Sequence, residues 1–212
     1  MRENLELSYR VLGSIGTNVY FVVNKTTRET VIIDPADEAD YLLEQARLRD
    51  YRICAILLTH GHFDHFLAAD AIRQATGAKI YAHKDEEKIL SDKYRNRSAN
   101  WAVAATLDVD EWLTDGQELE LAGFHFRVIH TPGHTCGSCC YYMYEEGVLF
   151  SGDTLFKESY GRTDLPTGSD DEIVTSVQNL LTLLPEDTDV FPGHMDRTTI
   201  GYERQFNPLS MP

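Results

Sequence analysis

The sequence predicts an α/β or α+β protein in which two sheets are faced by helices, and three observations carry that prediction. Short apolar runs of strand length recur, such as Cys54-Ala55-Ile56-Leu57-Leu58 and Val148-Leu149-Phe150. Between them lie segments of helical pattern, one of which, Phe66 to Gln74, is stopped by Gly77. Strand clusters that alternate with helices bury their apolar faces as layers.

Taken in order, three strands lead to Asp34. Gly13-Ser14-Ile15-Gly16-Thr17 reads as a hairpin turn and not as a phosphate loop, because the strand Asn18 to Asn24 follows it and not a helix. A helix is expected near 37–49, a strand at 53–58, the helix stopped by Gly77, a strand at 79–82 and a polar helical stretch from 84 to about 104. The second half repeats the style, with strands near 117–121, 124–130, 138–144 and 148–151, a helix near 170–184, a strand at 188–191 and a last helix near 197–206. The halves share an architecture without repeating sequence.

Composition narrows the function classes. A chain of 212 residues with 42% apolar content can bury a large core, and no Pro, Gly or Ser-rich linker divides it, so one domain over 1–212 is expected. No apolar run approaches the roughly 18 residues that span a bilayer. The start Met1-Arg2-Glu3-Asn4-Leu5-Glu6 has no apolar signal core, which favours a cytoplasmic location. A net charge of −15 without clustered Lys and Arg argues against nucleic-acid binding.

The chemistry is concentrated in Thr59-His60-Gly61-His62-Phe63-Asp64-His65, three imidazoles and a carboxylate in one short run. The pattern H-x-H-x-D-H arises by chance in about one chain in a thousand of this composition. Neutral imidazole and carboxylate suit zinc, iron and manganese. His60 and His62 point the same way only in an extended or looped backbone, since a helix would separate them by about 200°. They therefore lie where a strand meets a helix. Three more candidates share the same grammar of strand, Pro or Gly turn, then ligand: His134 in Thr131-Pro132-Gly133-His134, Asp153 in Ser151-Gly152-Asp153, and His194 in Pro192-Gly193-His194.

These motifs, in this order and spacing, resemble the metallo-β-lactamase superfamily over nearly the whole chain. The resemblance implies a four-layer αββα sandwich. It also implies two metals, the first held by His60, His62 and His134, the second by Asp64, His65 and His194, with Asp153 bridging. Zinc is the first expectation, and iron or manganese also suit the set. Two cations about 3.5–4 Å apart that share a water bring a hydroxide nucleophile within reach of neutral pH, so no protein nucleophile is required. Asp64 would orient that nucleophile or collect its proton, which makes it the candidate catalytic residue.

The segment Gly152 to Asp164 is most similar to glyoxalase II, the hydroxyacylglutathione hydrolases, and to the related persulfide dioxygenases. The implied substrate is a small-molecule thioester such as S-lactoylglutathione, and the implied substrate contact is Arg162, weighed against an ion pair with Asp164. A thiolate leaving group, whose conjugate acid has a pKa of about 8.5, needs no general acid. Full-length glyoxalase II carries a helical carboxy-terminal domain after this region, and with the sequence running only to Pro212, soon after Asn207-Pro208, a short form without that domain is expected. A mononuclear iron persulfide dioxygenase is the alternative, and a non-catalytic metal-binding domain the third reading. Cys136 and Cys139 form a C-x-x-C with no second pair, so Cys54, Cys136, Cys139 and Cys140 are read as structural, with Cys136 the one that exposure would make reactive. His83, His125 and His130 are expected in hydrogen-bonded structural roles.

Overall fold

The computed structural model describes residues 2–101 and 103–210. Its first sheet runs in the order β1 (Leu5–Leu12), β2 (Thr17–Asn24), β3 (Glu29–Ile33), β4 (Arg52–Leu57), β5 (Lys79–His83) and β6 (Glu111–Leu113). The second contains β7 (Glu118–Leu121), β8 (Phe124–His130), β9 (Cys139–Met143), β10 (Val148–Gly152), β13 (Asp189–Pro192) and β14 (Thr198–Thr199), in the spatial order β14-β13-β10-β9-β8-β7. A hairpin of β11 (Leu155–Phe156) and β12 (Ser159–Tyr160) stands apart. The helices are α1 (Ala39–Leu48), α2 (Ala69–Thr76), α3 (Glu87–Leu90), α4 (Asp170–Leu183) and α5 (Ile200–Phe206). No described helix is long and apolar enough to cross a membrane.

Side-chain alternation builds four layers. On β2, Tyr20 and Val22 face the second sheet while Val19, Phe21 and Val23 face α1 and α2. On β9 and β10, Cys139, Tyr141, Met143, Val148 and Phe150 face inward, and Cys140, Tyr142 and Leu149 face α4 and α5. Three apolar clusters result, one between the sheets and one under each helical layer, which is the αββα order. Both faces of these strands are covered, so their sequences read as continuous apolar runs.

The structure corrects the reading of 84–104 as one helical stretch. Among the described residues of that stretch, only Lys84–Glu86, α3 and Ser98–Trp101 are helical, in short turns. Asp92 accepts from the amides of Tyr94 and Arg95, and Asn96 accepts from that of Ser98, so side chains capture the amides that a longer helix would use. The segment after the histidine run also begins differently, with a 3-10 turn at Phe63–His65 and α2 starting only at Ala69. The last helix starts at Ile200 because β14 takes 198 and 199.

Phe150 is fully buried between the sheets, with its ring 5.3 Å from that of Tyr20 and 5.6 Å from that of Phe191. Phe150→Ala should destabilise the protein by about 3–5 kcal/mol in urea denaturation. A loss well under 1 kcal/mol would contradict the inter-sheet packing.

Candidate metal centre

The chemistry-bearing side chains sit where strands end. β3 and β4 are parallel neighbours in one sheet, and β10 and β13 in the other. Asp34 follows β3, and His60, His62, Asp64 and His65 follow β4. His134 follows β8, Asp153 follows β10 and His194 follows β13. Ligand sites of layered α/β proteins form beyond such carboxyl ends. Gly152 makes its turn possible: its φ is +50°, and a Cβ there would collide with Thr59.

All seven predicted positions converge. One ring nitrogen each from His60, His62 and His134 fall within 4.8 Å of one another, and so do ligand atoms of Asp64, His65 and His194. Asp153 lies between the two groups, with Oδ1 3.5 Å from His65 Nε2 and Oδ2 3.6 Å from His134 Nε2 and 3.5 Å from His194 Nε2. His60, His62, His65 and His134 are buried, and His194 is half-buried.

Hydrogen bonds behind the rings fix which nitrogen faces the centre. Thr59 Oγ1 donates its hydrogen to Asp34 Oδ2 at 2.6 Å, so its oxygen accepts from His60 Nδ1 at 3.2 Å and leaves His60 Nε2 as a lone pair. His134 Nδ1 donates to the Arg162 carbonyl at 2.7 Å, and His65 Nδ1 donates to Asp34 Oδ2 at 2.9 Å. His60 Nε2 and His134 Nε2 then stand 3.1 and 2.9 Å from His62 Nδ1, where one proton could serve only one of them.

Burial first, then the neighbouring imidazoles, hold the pKa values of His60 and His62 well below the ordinary histidine value. His65 is the opposite case: burial opposes its charge, but Asp64, Asp153 and Asp34 push its pKa up to about 10. For Asp64, burial raises the pKa, and His65 and His194 more than reverse it, so the carboxyl is held well below its usual range. Converging lone pairs, carboxylates calling for positive charge, and the buried Asp153 Oδ1, which has no hydrogen-bond partner, together fit a divalent metal site.

Residues 12–194 match the Metallo-beta-lactamase superfamily. The chain belongs to that superfamily. Among solved structures, it is similar to the BLEG-1 B3 metallo-beta-lactamase, with 40% identity, a TM-score of 0.92 and coverage of 98% of this chain and 100% of that one. It is also similar to TTHA1623 in a di-iron-bound form, at 35% identity and a TM-score of 0.83, covering 95% of this chain and 98% of that one. A curated relative, hydroxyacylglutathione hydrolase GloC of Haemophilus influenzae, is 35% identical over 86% of this chain and 87% of its own length.

In this superfamily member the centre opens into a cleft of about 620 Å³ walled by Phe63, Trp101, Phe156 and Tyr160. A larger groove of about 760 Å³, beside β1 and Phe191, holds none of the histidines. Arg162 lines the cleft, but its side chain is exposed and forms a two-pronged pair with Asp164, both contacts at 2.6 Å. Its carbonyl, bonded to His134, is the part fixed at the centre. Cys139 and Cys140 are buried, and the half-buried Cys136 donates to the Asp85 carbonyl; all four cysteines are free thiols. His83 and His130 stack at 4.1 Å near Asp85, a further group of possible ligands outside the centre, with His130 Nε2 donating to the Cys136 carbonyl. The His125 ring stacks 6.3 Å from that of Tyr144.

Two carboxylates escaped the sequence reading. Asp34 ends a strand just as Asp153 does, a signal that was present, and it binds Thr59 and His65. Glu86 gave no local signal. Fully buried, it accepts from the Gly61 amide at 2.7 Å, the Gly137 amide at 2.9 Å and the Thr135 hydroxyl, and so ties the His60–His62 loop to the His134 loop. A Cβ at Gly61 would lie 2.6 Å from Glu86 Oε2, and one at Gly137 2.5 Å from the Glu86 nitrogen, so both glycines permit the close approach.

Burial pushes the Glu86 carboxyl up to about 7, against the hydrogen bonds from Thr135, Gly61 and Gly137 that pull it down. The folded value therefore lies above the unfolded one. The Glu86 contribution to stability is fully present below about pH 4.5 and is lost as pH rises through about 7, a change of roughly 3 kcal/mol. Denaturation curves between those pH values should show the wild type losing that much relative to Glu86→Gln; parallel pH profiles would contradict the assignment.

Proposed function

We propose that this metallo-hydrolase is a dinuclear, metal-dependent thioester hydrolase, with His60, His62 and His134 holding one metal, Asp64, His65 and His194 the other, and Asp153 between them. Zinc is the first expectation for both. The di-iron form of TTHA1623 makes iron the next candidate. The observation that carries the reading is the position of Asp153, whose two oxygens approach histidines of both groups.

When bound, such cations act as Lewis acids and lower the pKa of a coordinated water to about 7. The protein's own part is orientation. Asp34 and Thr59 fix the His60 and His65 rings, the Arg162 carbonyl fixes His134, and Thr17 Oγ1 donates to Asp64 Oδ2 at 2.9 Å. Asp64, so anchored and facing the cleft, orients the attacking water or takes its proton.

Support for a thioester comes from what lines the cleft. Among the described residues there, the only carboxylates are Asp64 and Asp153, both committed to the centre, so no spare carboxylic acid stands ready to protonate a poor leaving group. A thiolate needs none. The name of the GloC relative supports S-lactoylglutathione as the first substrate to try. The 40% identity to BLEG-1 favours β-lactam hydrolysis as a second reading.

The test joins elemental analysis of protein purified without added metal to a panel of S-lactoylglutathione, glutathione persulfide and a chromogenic cephalosporin. Two metals per chain with thiol release are expected. His62→Ala should lower turnover by at least about 100-fold, the upper range seen when only a ligand's hydrogen-bond partner is removed. One iron per chain with oxygen consumed on the persulfide would replace the hydrolase by a dioxygenase, and cephalosporin turnover without thioester turnover would select the second reading.

A further inference from the structure

Arg97 is the conspicuous cation of the cleft. It is half-buried and lines the same wall as Phe63 and Trp101. The chain has 34 acidic residues against 19 Lys and Arg, and several guanidinium groups find carboxylates, Arg47 with Glu44, Arg73 with Asp70, Arg95 with Asp92 and Arg204 with Glu186, while among the arginines that do not, Arg97 is the one on the cleft wall. Arg97 has no carboxylate of a described residue within 4.0 Å and no side-chain hydrogen bond among the described residues. Asp164, an acid within reach of its field, is already held by both prongs of Arg162.

The backbone holds Arg97 where it is at a cost. Its φ is +70°, a left-handed conformation uncommon for a residue with a side chain. Asn96 and Ser98, both fully buried, clamp it on either side. Asn96 Nδ2 and Ser98 Oγ donate to the Ala105 carbonyl at 2.9 and 3.0 Å, and the Asn96 carbonyl accepts from the Phe63 amide at 2.9 Å. The clamp thus joins Arg97 to the residue that follows His62. Strain that the surroundings enforce is found where a side chain has work to do.

We infer that Arg97 is the anion anchor of the cleft, receiving a carboxylate of the substrate and so restricting the thioesters taken to those that carry one. The inference rests on the thioester reading above. A guanidinium presents a planar fork that matches a carboxylate with two charge-assisted hydrogen bonds. No carboxylate of the described residues fills that fork here, while the aromatic wall beside it accommodates the uncharged part of the substrate. With Arg162 neutralised by Asp164, the positive charge open to a ligand at this side of the cleft is that of Arg97.

The test is direct binding, by calorimetry on the metal-loaded protein, of S-methylglutathione, which carries two carboxylates, and of its diethyl ester. The wild type should bind the acid about tenfold more tightly than the ester. Arg97→Gln should abolish that ratio, Arg97→Lys should retain part of it, and KM for S-lactoylglutathione should rise about tenfold in Arg97→Gln with a smaller change in kcat. Metal content and denaturation midpoint of the variants control for folding. Equal wild-type affinities for acid and ester, or a ratio that survives Arg97→Gln, would overturn the anchor. If no thioester is turned over but the ratio behaves as stated, the hydrolase reading fails and the anchor stands.

Discussion

Five imidazoles and three carboxylates are drawn into one largely buried space at the edge of two sheets, and that crowding is the constraint on which the rest of the structure depends. Neutral imidazoles aimed at one another repel through their lone pairs, and buried carboxylates call for positive charge. A protein without metals meets this partly by protonating His65. The hydrogen bonds behind the rings make sense only as preparation for something in front of them: Thr59, Asp34 and the Arg162 carbonyl all take up the nitrogen that faces away from the centre.

The sandwich is what makes such crowding tolerable. The contributing loops leave strands whose other residues are locked in three apolar clusters, so each loop starts from a fixed point. Glu86 adds a brace between loops that come from different sheets. On the open side the segment around Arg97 and Trp101 forms one wall of the cleft, and it has little regular secondary structure of its own. Function and rigidity are thus divided between a strand-built floor and a loop-built wall.

What was legible in the sequence and what was not follows the same division. The strands were readable as apolar runs, His60, His62, Asp64 and His65 by their density in one short run, and His134, Asp153 and His194 by a strand, a Gly or Pro turn and then His or Asp. Asp34 also follows an apolar strand, but no Gly or Pro turn precedes it, so it lacked the mark that the other three share. Glu86 and Arg97 had none: Glu86 is placed by Gly61 and Gly137, and Arg97 by Phe63 through the neighbouring Asn96, partners that lie 25 or more residues away in the chain. The stretch 84–104 misled because its helix-forming composition was overridden by Asp92, Asn96 and Ser98, which bind backbone groups instead. The three-residue strand β6 was too short to show a period.

In the proposed centre, Asp153 joins two cations seated by the two histidine groups. X-ray absorption on the protein as purified with its metals measures this most directly. It should report imidazole and carboxylate coordination and a metal–metal vector of about 3.5–4 Å. A single metal per chain with no metal–metal scattering at any loading would contradict it.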